Sequence, residues 1–189
     1  TISKAFEPIT PTFDKTLAQD TQLSYAQPSQ LLVTQITTTN QEIASSPLKW
    51  IDTIYYYTIT RLGFLDVPFN YFLDESGNIY TGHQGGEGVI PQSTQQAIII
   101  GYLSNSPTLT PAAQQTLKEF FEDFSYKYGI SQDSCEVVKM YLNKTKGQPS
   151  QTTTQTETGT FSQSVKEVVD QVTWSQTEHL DYKLEILGV

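Results

Sequence analysis

The run Ala97-Ile98-Ile99-Ile100-Gly101-Tyr102-Leu103 sets the strongest limit on what this chain folds into. It has no polar alternation, so it reads as a strand buried on both faces. Upstream lies a hairpin pattern, Asp66-Val67-Pro68-Phe69-Asn70-Tyr71-Phe72-Leu73, then Asp74-Glu75-Ser76-Gly77-Asn78, then Ile79-Tyr80-Thr81-Gly82-His83. Aromatic and β-branched residues flanking a turn cluster mark two paired strands. Before it, Ile54-Tyr55-Tyr56-Tyr57-Thr58-Ile59-Thr60 is a further apolar run, with a strand expected over Tyr55–Thr60 and a turn at Arg61-Leu62-Gly63. Downstream, Thr110-Pro111-Ala112-Ala113 opens a helix whose Leu117, Phe120, Phe121 and Phe124 recur at i, i+3, i+4 and i+7, with Gly129 as its stop.

Around this centre, residues 1–29 hold Pro8, Pro11 and Pro28 among Ser, Thr and Gln and read as an irregular arm. Gln30–Thr39 is β-rich and should be the first strand. Ser45-Ser46-Pro47 reads as a helix start, with Leu48, Ile51 and Tyr55 at helical spacing after it. Cys135–Leu142 is expected as the last strand, and Gln151–Thr160 as a flexible low-complexity excursion. Val165, Val168, Val169 and Val172 predict a final helix over Ser164–Val172. The expected division is therefore an arm over 1–29, a domain over 30–149 and an appendage over 150–189.

With 189 residues the chain has room for one domain with tails and for a real core. Twenty acidic against eleven basic residues give a net charge of −9 with no Lys/Arg run, which disfavours a nucleic-acid partner. No apolar stretch approaches the length of a membrane span. The chain begins with Thr and carries no leader pattern, so it reads as a trimmed portion of something longer. Its single cysteine, Cys135, leaves no internal disulfide. Abundant Thr and Gln with few Lys suit an extracytoplasmic surface.

The order of hairpin, loop, apolar strand and helix resembles the zinc-dependent N-acetylmuramoyl-L-alanine amidases and the peptidoglycan recognition proteins that share their fold. The residues that carry the likeness are Asp66–Asp74, Gly77–His83, Ala97–Asn105 and Thr110 with Gln114, within a span of about residues 30–149. The resemblance implies an α/β (α+β) fold: a central mixed β-sheet flanked by helices, with extensions at both ends. In the family, the Gly-rich loop that matches Gln84–Thr94 forms one wall of the substrate groove.

The family's hydrolases hold Zn²⁺ with two His and one Cys and leave a fourth position open for a water that the metal acidifies. The first ligand sits in an Ile-His-His-Thr motif, which matches Thr34-Gln35-Ile36-Thr37 and places Gln35 at the ligand. Lys146-Gly147-Gln148-Pro149-Ser150 matches the motif of the Cys ligand, so Gln148 stands at that position and Met140, eight residues earlier, at the second His. An amide or a thioether is a poor substitute for imidazole and thiolate on a borderline-soft dication. Phe69 matches the Tyr that helps stabilise the oxyanion, and it has no hydroxyl to donate. The chain's whole supply of His and Cys is His83, His179 and Cys135. The expectation is a degenerate amidase without metal or cofactor.

Other chemistry-bearing residues have ordinary readings. His83 ends the hairpin at the groove rim, where it reads as an exposed loop residue more readily than as a ligand contact. Asp66, before Val67-Pro68, suits a turn or cap better than catalysis. Glu87 has no partner carboxylate, and Cys135 has no basic neighbour to activate it. Tyr55-Tyr56-Tyr57 fits either groove lining or packing. Asn143-Lys144-Thr145 matches an N-glycosylation acceptor, a pattern common by chance.

Two functions follow as expectations. One is a catalytically inactive, envelope-associated module that binds other proteins, its arms supplying contacts. The alternative is a module that keeps peptidoglycan affinity without cleavage, using polar groups from Asn70, His83, Gln84, Gln92 and Lys146. An active hydrolase ranks last.

Overall fold

A computed structural model describes residues 8–10, 27–83, 96–175 and 177–178. Six strands make one mixed sheet in the order β3-β2-β4-β1-β5-β6. They are β1 Gln30–Ile36, β2 Tyr71–Leu73, β3 Ile79–Thr81, β4 Ala97–Leu103, β5 Cys135–Asn143 and β6 Gln151–Thr156. β1, β2, β4 and β5 run parallel, and the outer strands β3 and β6 run antiparallel to their neighbours. The helices are α1 Gln41–Ala44, α2 Pro47–Tyr56, α3 Pro111–Tyr128 and α4 Thr160–Val169. This is the α/β class that the family resemblance implies, and no helix among the described residues is long and apolar enough to cross a membrane.

Every residue of β4 is buried, because helices cover both faces of the sheet. Alternate residues along the strands sort into two layers. Leu31, Val33, Tyr71, Ile98, Ile100 and Tyr102 pack under α3 and α4 with Leu117, Phe120, Phe121, Phe124 and Val165. Leu32, Phe72, Ile99 and Leu103 pack under α2 with Trp50, Ile51 and Tyr55. Each fully buried Phe or Ile contributes about 1.5–3 kcal/mol relative to exposure. The expected helix α3 is present with both signals in place. Thr110 Oγ1 accepts the Ala113 N–H at 3.2 Å, and Gly129 closes the helix at φ +67°, in the left-handed region.

Asp74 builds the turn between β2 and β3. Its Oδ1 accepts the N–H groups of Ser76 at 2.9 Å and Asn78 at 2.8 Å. Its Oδ2 accepts from Asn78 Nδ2 at 3.1 Å and from the Tyr80 hydroxyl at 2.7 Å. Burial, and then the Asp74 carboxylate, pushes the Tyr80 phenol up to about 12. Outside β3, Ile9 of the N-terminal arm forms a parallel bridge to Tyr80, donating its N–H to the Ile79 carbonyl at 2.8 Å.

Three local expectations are corrected. Tyr55–Thr60 is helical: α2 runs to Tyr56 and continues as a π-helical turn over Tyr57–Arg61. The Ser46 cap and Pro47 start the helix, and its buried stripe of Trp50, Ile51, Tyr55 and Ile59 follows a helical period that overrides β-propensity. Gln151–Thr160 is no flexible excursion. Its first six residues form β6, paired with β5 from Val138↔Thr156 to Asn143↔Gln151, and Thr160 already belongs to α4. β5 is therefore not the last strand. Thr-rich sequence becomes a strand here because β5 offers it a partner edge.

Candidate functional site

β1 pairs with β4 along its whole length, but it pairs with β5 only over Leu31–Val33. β5 continues to Asn143 alongside β6. Beyond Val33, β1 and β5 therefore part, and a cleft of about 260 Å³ opens between them. The end of β1 (Thr34, Gln35, Ile36, Thr37), the end of α2 and its π turn (Ile54, Tyr57, Thr58), Phe69, Met140 and Leu142 line it. None of these side chains is charged. Even periodicity along β5 turns Val138, Met140 and Leu142 to this side, which is the signal that marks Leu142 with Met140. Ile54 and Thr58 carry no motif and join the site only through the tertiary fold.

The cleft brings together three of the residues that the family likeness singles out: Gln35, Met140 and Phe69. Gln35 Nε2 is turned to the end of β4, donating to the carbonyls of Ser104 at 2.8 Å and Ser106 at 2.6 Å. Met140 packs its thioether against the apolar layer under α2. Phe69 is buried and lies 5.2 Å from Phe72 between ring centroids. Gln148 stays outside, exposed on the β5–β6 turn with Gly147 and Lys146. Its main-chain N–H closes that turn on the Thr145 carbonyl at 3.0 Å. This donor set does not suit zinc: one amide is held by carbonyls, one thioether sits in an apolar layer, and one amide is exposed on the β5–β6 turn. Among the described residues no three His, Cys, Asp or Glu side chains gather as a metal-holding group.

Two expected groove residues belong instead to the hairpin's internal wiring. Asn70 is fully buried; its Oδ1 accepts the Ile99 N–H at 2.8 Å, and its own N–H donates to the Ile99 carbonyl at 2.9 Å. His83 is buried, not exposed as the loop position suggested. Its N–H donates to the Phe69 carbonyl at 2.6 Å, which folds the end of the hairpin back over the sheet. Gly82 permits this return, since a Cβ there would lie too close to the Phe69 carbonyl oxygen. Asp66 takes the turn role: it is buried and its Oδ1 accepts the Val67 N–H at 2.7 Å. The Gln84–Thr94 loop, with Glu87 and Gln92, and His179 lie outside the described residues.

A second cavity, about 330 Å³, lies on the α4 side of the sheet and includes Cys135, Glu136, Glu157, Lys166 and Asp170 in its wall. Burial, and then Glu136, pushes the Cys135 thiol up to about 12, so it stays protonated at neutral pH and is no nucleophile. Of the three tyrosines in a row, Tyr55 is core, Tyr56 is exposed, and Tyr57 is exposed at the cleft wall. Asn143 is exposed and its Nδ2 donates to Thr153 Oγ1 at 2.9 Å.

No family model and no curated sequence matches the chain. Solved structures do. PGRP-Hd from Alvinella pompejana is similar over 89% of this chain and 96% of its own, at 15% identity and a TM-score of 0.56. The endolysin N-acetylmuramoyl-L-alanine amidase LysCS from Clostridium intestinale URNW is similar over 71% of this chain and 82% of its own, at 19% identity and a TM-score of 0.50. The chain has the amidase and peptidoglycan-recognition-protein fold.

Proposed function

We propose that this chain is a catalytically inactive amidase-fold module that works by binding other proteins at an extracytoplasmic, envelope-associated site. The observation that carries the reading is the state of the ligand positions. Gln35 is bonded to the β4 end, Met140 is packed, Gln148 lies outside the cleft, and Phe69 offers no hydroxyl. The family's hydrolases acidify their water with a bound metal, and these donors supply no seat for one. What remains is an uncharged cleft beside a rigid sheet, an arrangement suited to recognition. The structural likeness to a bacterial amidase and to PGRP-Hd supports the envelope setting.

Metal analysis of the purified chain tests the loss of hydrolysis. Less than a tenth of an equivalent of zinc is expected, and stoichiometric zinc with release of muropeptides would overturn the reading. Retention of peptidoglycan affinity without cleavage is the second reading, favoured by the fold match to PGRP-Hd over most of both chains. Sedimentation with insoluble peptidoglycan separates the two. Protein in the supernatant supports the protein-binding module, whereas pelleting with the sacculus supports the second reading.

A further inference from the structure

We infer that the cleft receives an acidic, extended segment of a protein partner, seating an apolar side chain between β1 and β5 and its carboxylates at a basic lip. The inference rests on the protein-binding reading and adds the partner's chemistry. Its first support is charge. Residues 30–41, 53–65 and 137–156, which frame the cleft, contain no Asp or Glu in a chain that has twenty. They hold Arg61, Lys139, Lys144 and Lys146, four of the chain's eleven basic residues. The acids nearest in sequence to the α2 end are Asp52, exposed on α2, and Asp66, buried in its turn.

Packing gathers three of these cations at one end of the cleft. Arg61 closes the π turn that carries the wall residues Tyr57 and Thr58, and Lys144 lies two residues beyond Leu142. Lys144 Nζ donates to the Arg61 carbonyl at 3.2 Å, and Ser150 Oγ donates to the Leu62 carbonyl. The β5–β6 turn is thereby tied to the end of α2, with Lys146 exposed upon it. The ion pairs Lys49–Glu42 and Lys118–Glu122 lie outside this lip. Lys139 points to the opposite face of the ribbon from Met140 and is not part of it.

The second support is the main chain. The Glu157 N–H donates to the Val137 carbonyl at 2.9 Å, in register with the β5–β6 ladder. Strict alternation then turns the main-chain groups of Lys139, Tyr141 and Asn143 to β6, and those of Met140 and Leu142 toward β1. β1 has left β5 after Val33, so Met140 and Leu142 present a strand edge to the cleft. An extended segment can pair with such an edge while alternate side chains enter the pocket. The cleft is smaller than pockets that enclose a drug-sized ligand, so it anchors part of a longer one. Main-chain pairing along such an edge is a mode that extended protein segments use.

Titration calorimetry of the full chain at low salt tests this with acetyl-Asp-Leu-Val-Leu-Val-Asp-amide, its Asn-for-Asp analogue and a soluble muropeptide. The acidic peptide is expected to bind at least about tenfold more tightly than the analogue. The double substitution Arg61→Glu with Lys146→Glu should weaken it about tenfold, since each exposed charge pair carries a few-fold effect. Lys139→Glu should leave it unchanged, and the Met140 and Leu142 amides should shift on binding in ¹⁵N spectra. Equal binding of the two peptides, an equal loss in Lys139→Glu, or no peptide binding overturns the inference. Tighter binding of the muropeptide, abolished by the same double substitution, overturns it in favour of a cell-wall ligand. Zinc content and sacculus sedimentation report on the underlying function without depending on any of these titrations.

Discussion

The two sides of the sheet's parallel centre handle their polar groups in opposite ways. On the β2–β3–β4 side, polar atoms are turned inward and bonded to one another. Asn70 joins β2 to β4, Asp74 fills the hairpin turn, Tyr80 reaches Asp74, and Gly82 lets the chain return against Phe69. On the β1–β5–β6 side, strand pairing stops after Val33, and basic side chains stand exposed around an uncharged cleft. The first side ties its strands together through buried polar groups. The second leaves its cations exposed to solvent. A buried unsatisfied donor or acceptor is expensive, whereas an exposed cation is nearly neutral for stability, so the two sides should respond very differently to substitution.

The largest effect should come from Gly82→Ala. The new Cβ meets the Phe69 carbonyl oxygen and the Phe72 ring, and backbone cannot yield as a side-chain tip can. A loss of about 3 kcal/mol is expected from such overpacking, read as the urea midpoint at constant slope. A midpoint within error of the parent would remove the close return from the account. Next is Asn70→Ala, which strips the buried Ile99 N–H of its acceptor and should cost about 2 kcal/mol. If denaturation shows less than about 0.5 kcal/mol, the Asn70 link between β2 and β4 is not the tie described above.

Tyr80→Phe should cost about 1 kcal/mol at neutral pH by deleting the hydroxyl bond to Asp74. Its sharper signature is in alkali. The folded-state pKa is raised from 10.0 to about 12, so the neutral phenol is favoured by folding. That contribution is fully present below pH 10 and is lost as pH rises toward 12. The parent should therefore lose more stability than Tyr80→Phe between these limits. Parallel alkaline curves for the two proteins would contradict the burial of this hydroxyl. The smallest effect belongs to the other side: Arg61→Glu with Lys146→Glu should move stability by less than about 0.5 kcal/mol. A large drop would mean that the lip is part of the fold's own support.

The hairpin, the buried strand Ala97–Leu103 and the helix Pro111–Tyr128 were legible in the sequence because each is specified by neighbours in the chain. Asp74 to Asn78 form their turn among themselves, and Thr110 and Gly129 mark the helix ends with their own side chain and φ angle. The candidate site was legible in part. The motif match placed Gln35, Met140 and Phe69, which do share a cleft, and also Gln148, which does not. A motif orders residues along a strand and its turn, but the direction in which a turn residue points depends on how that turn packs.

The sequence by itself determined the elements whose signals are local: turns, caps, a doubly covered strand and a charge balance that disfavours nucleic acid. Only the tertiary structure decided that Tyr55–Thr60 continues a helix, that Gln151–Thr156 becomes a strand, that His83 is buried and that β1 and β5 separate. In each case the deciding energy comes from a surface supplied by a distant part of the chain. The sheet face selects the helical stripe of α2, the β5 edge recruits the threonines, and the Phe69 carbonyl holds the end of the hairpin.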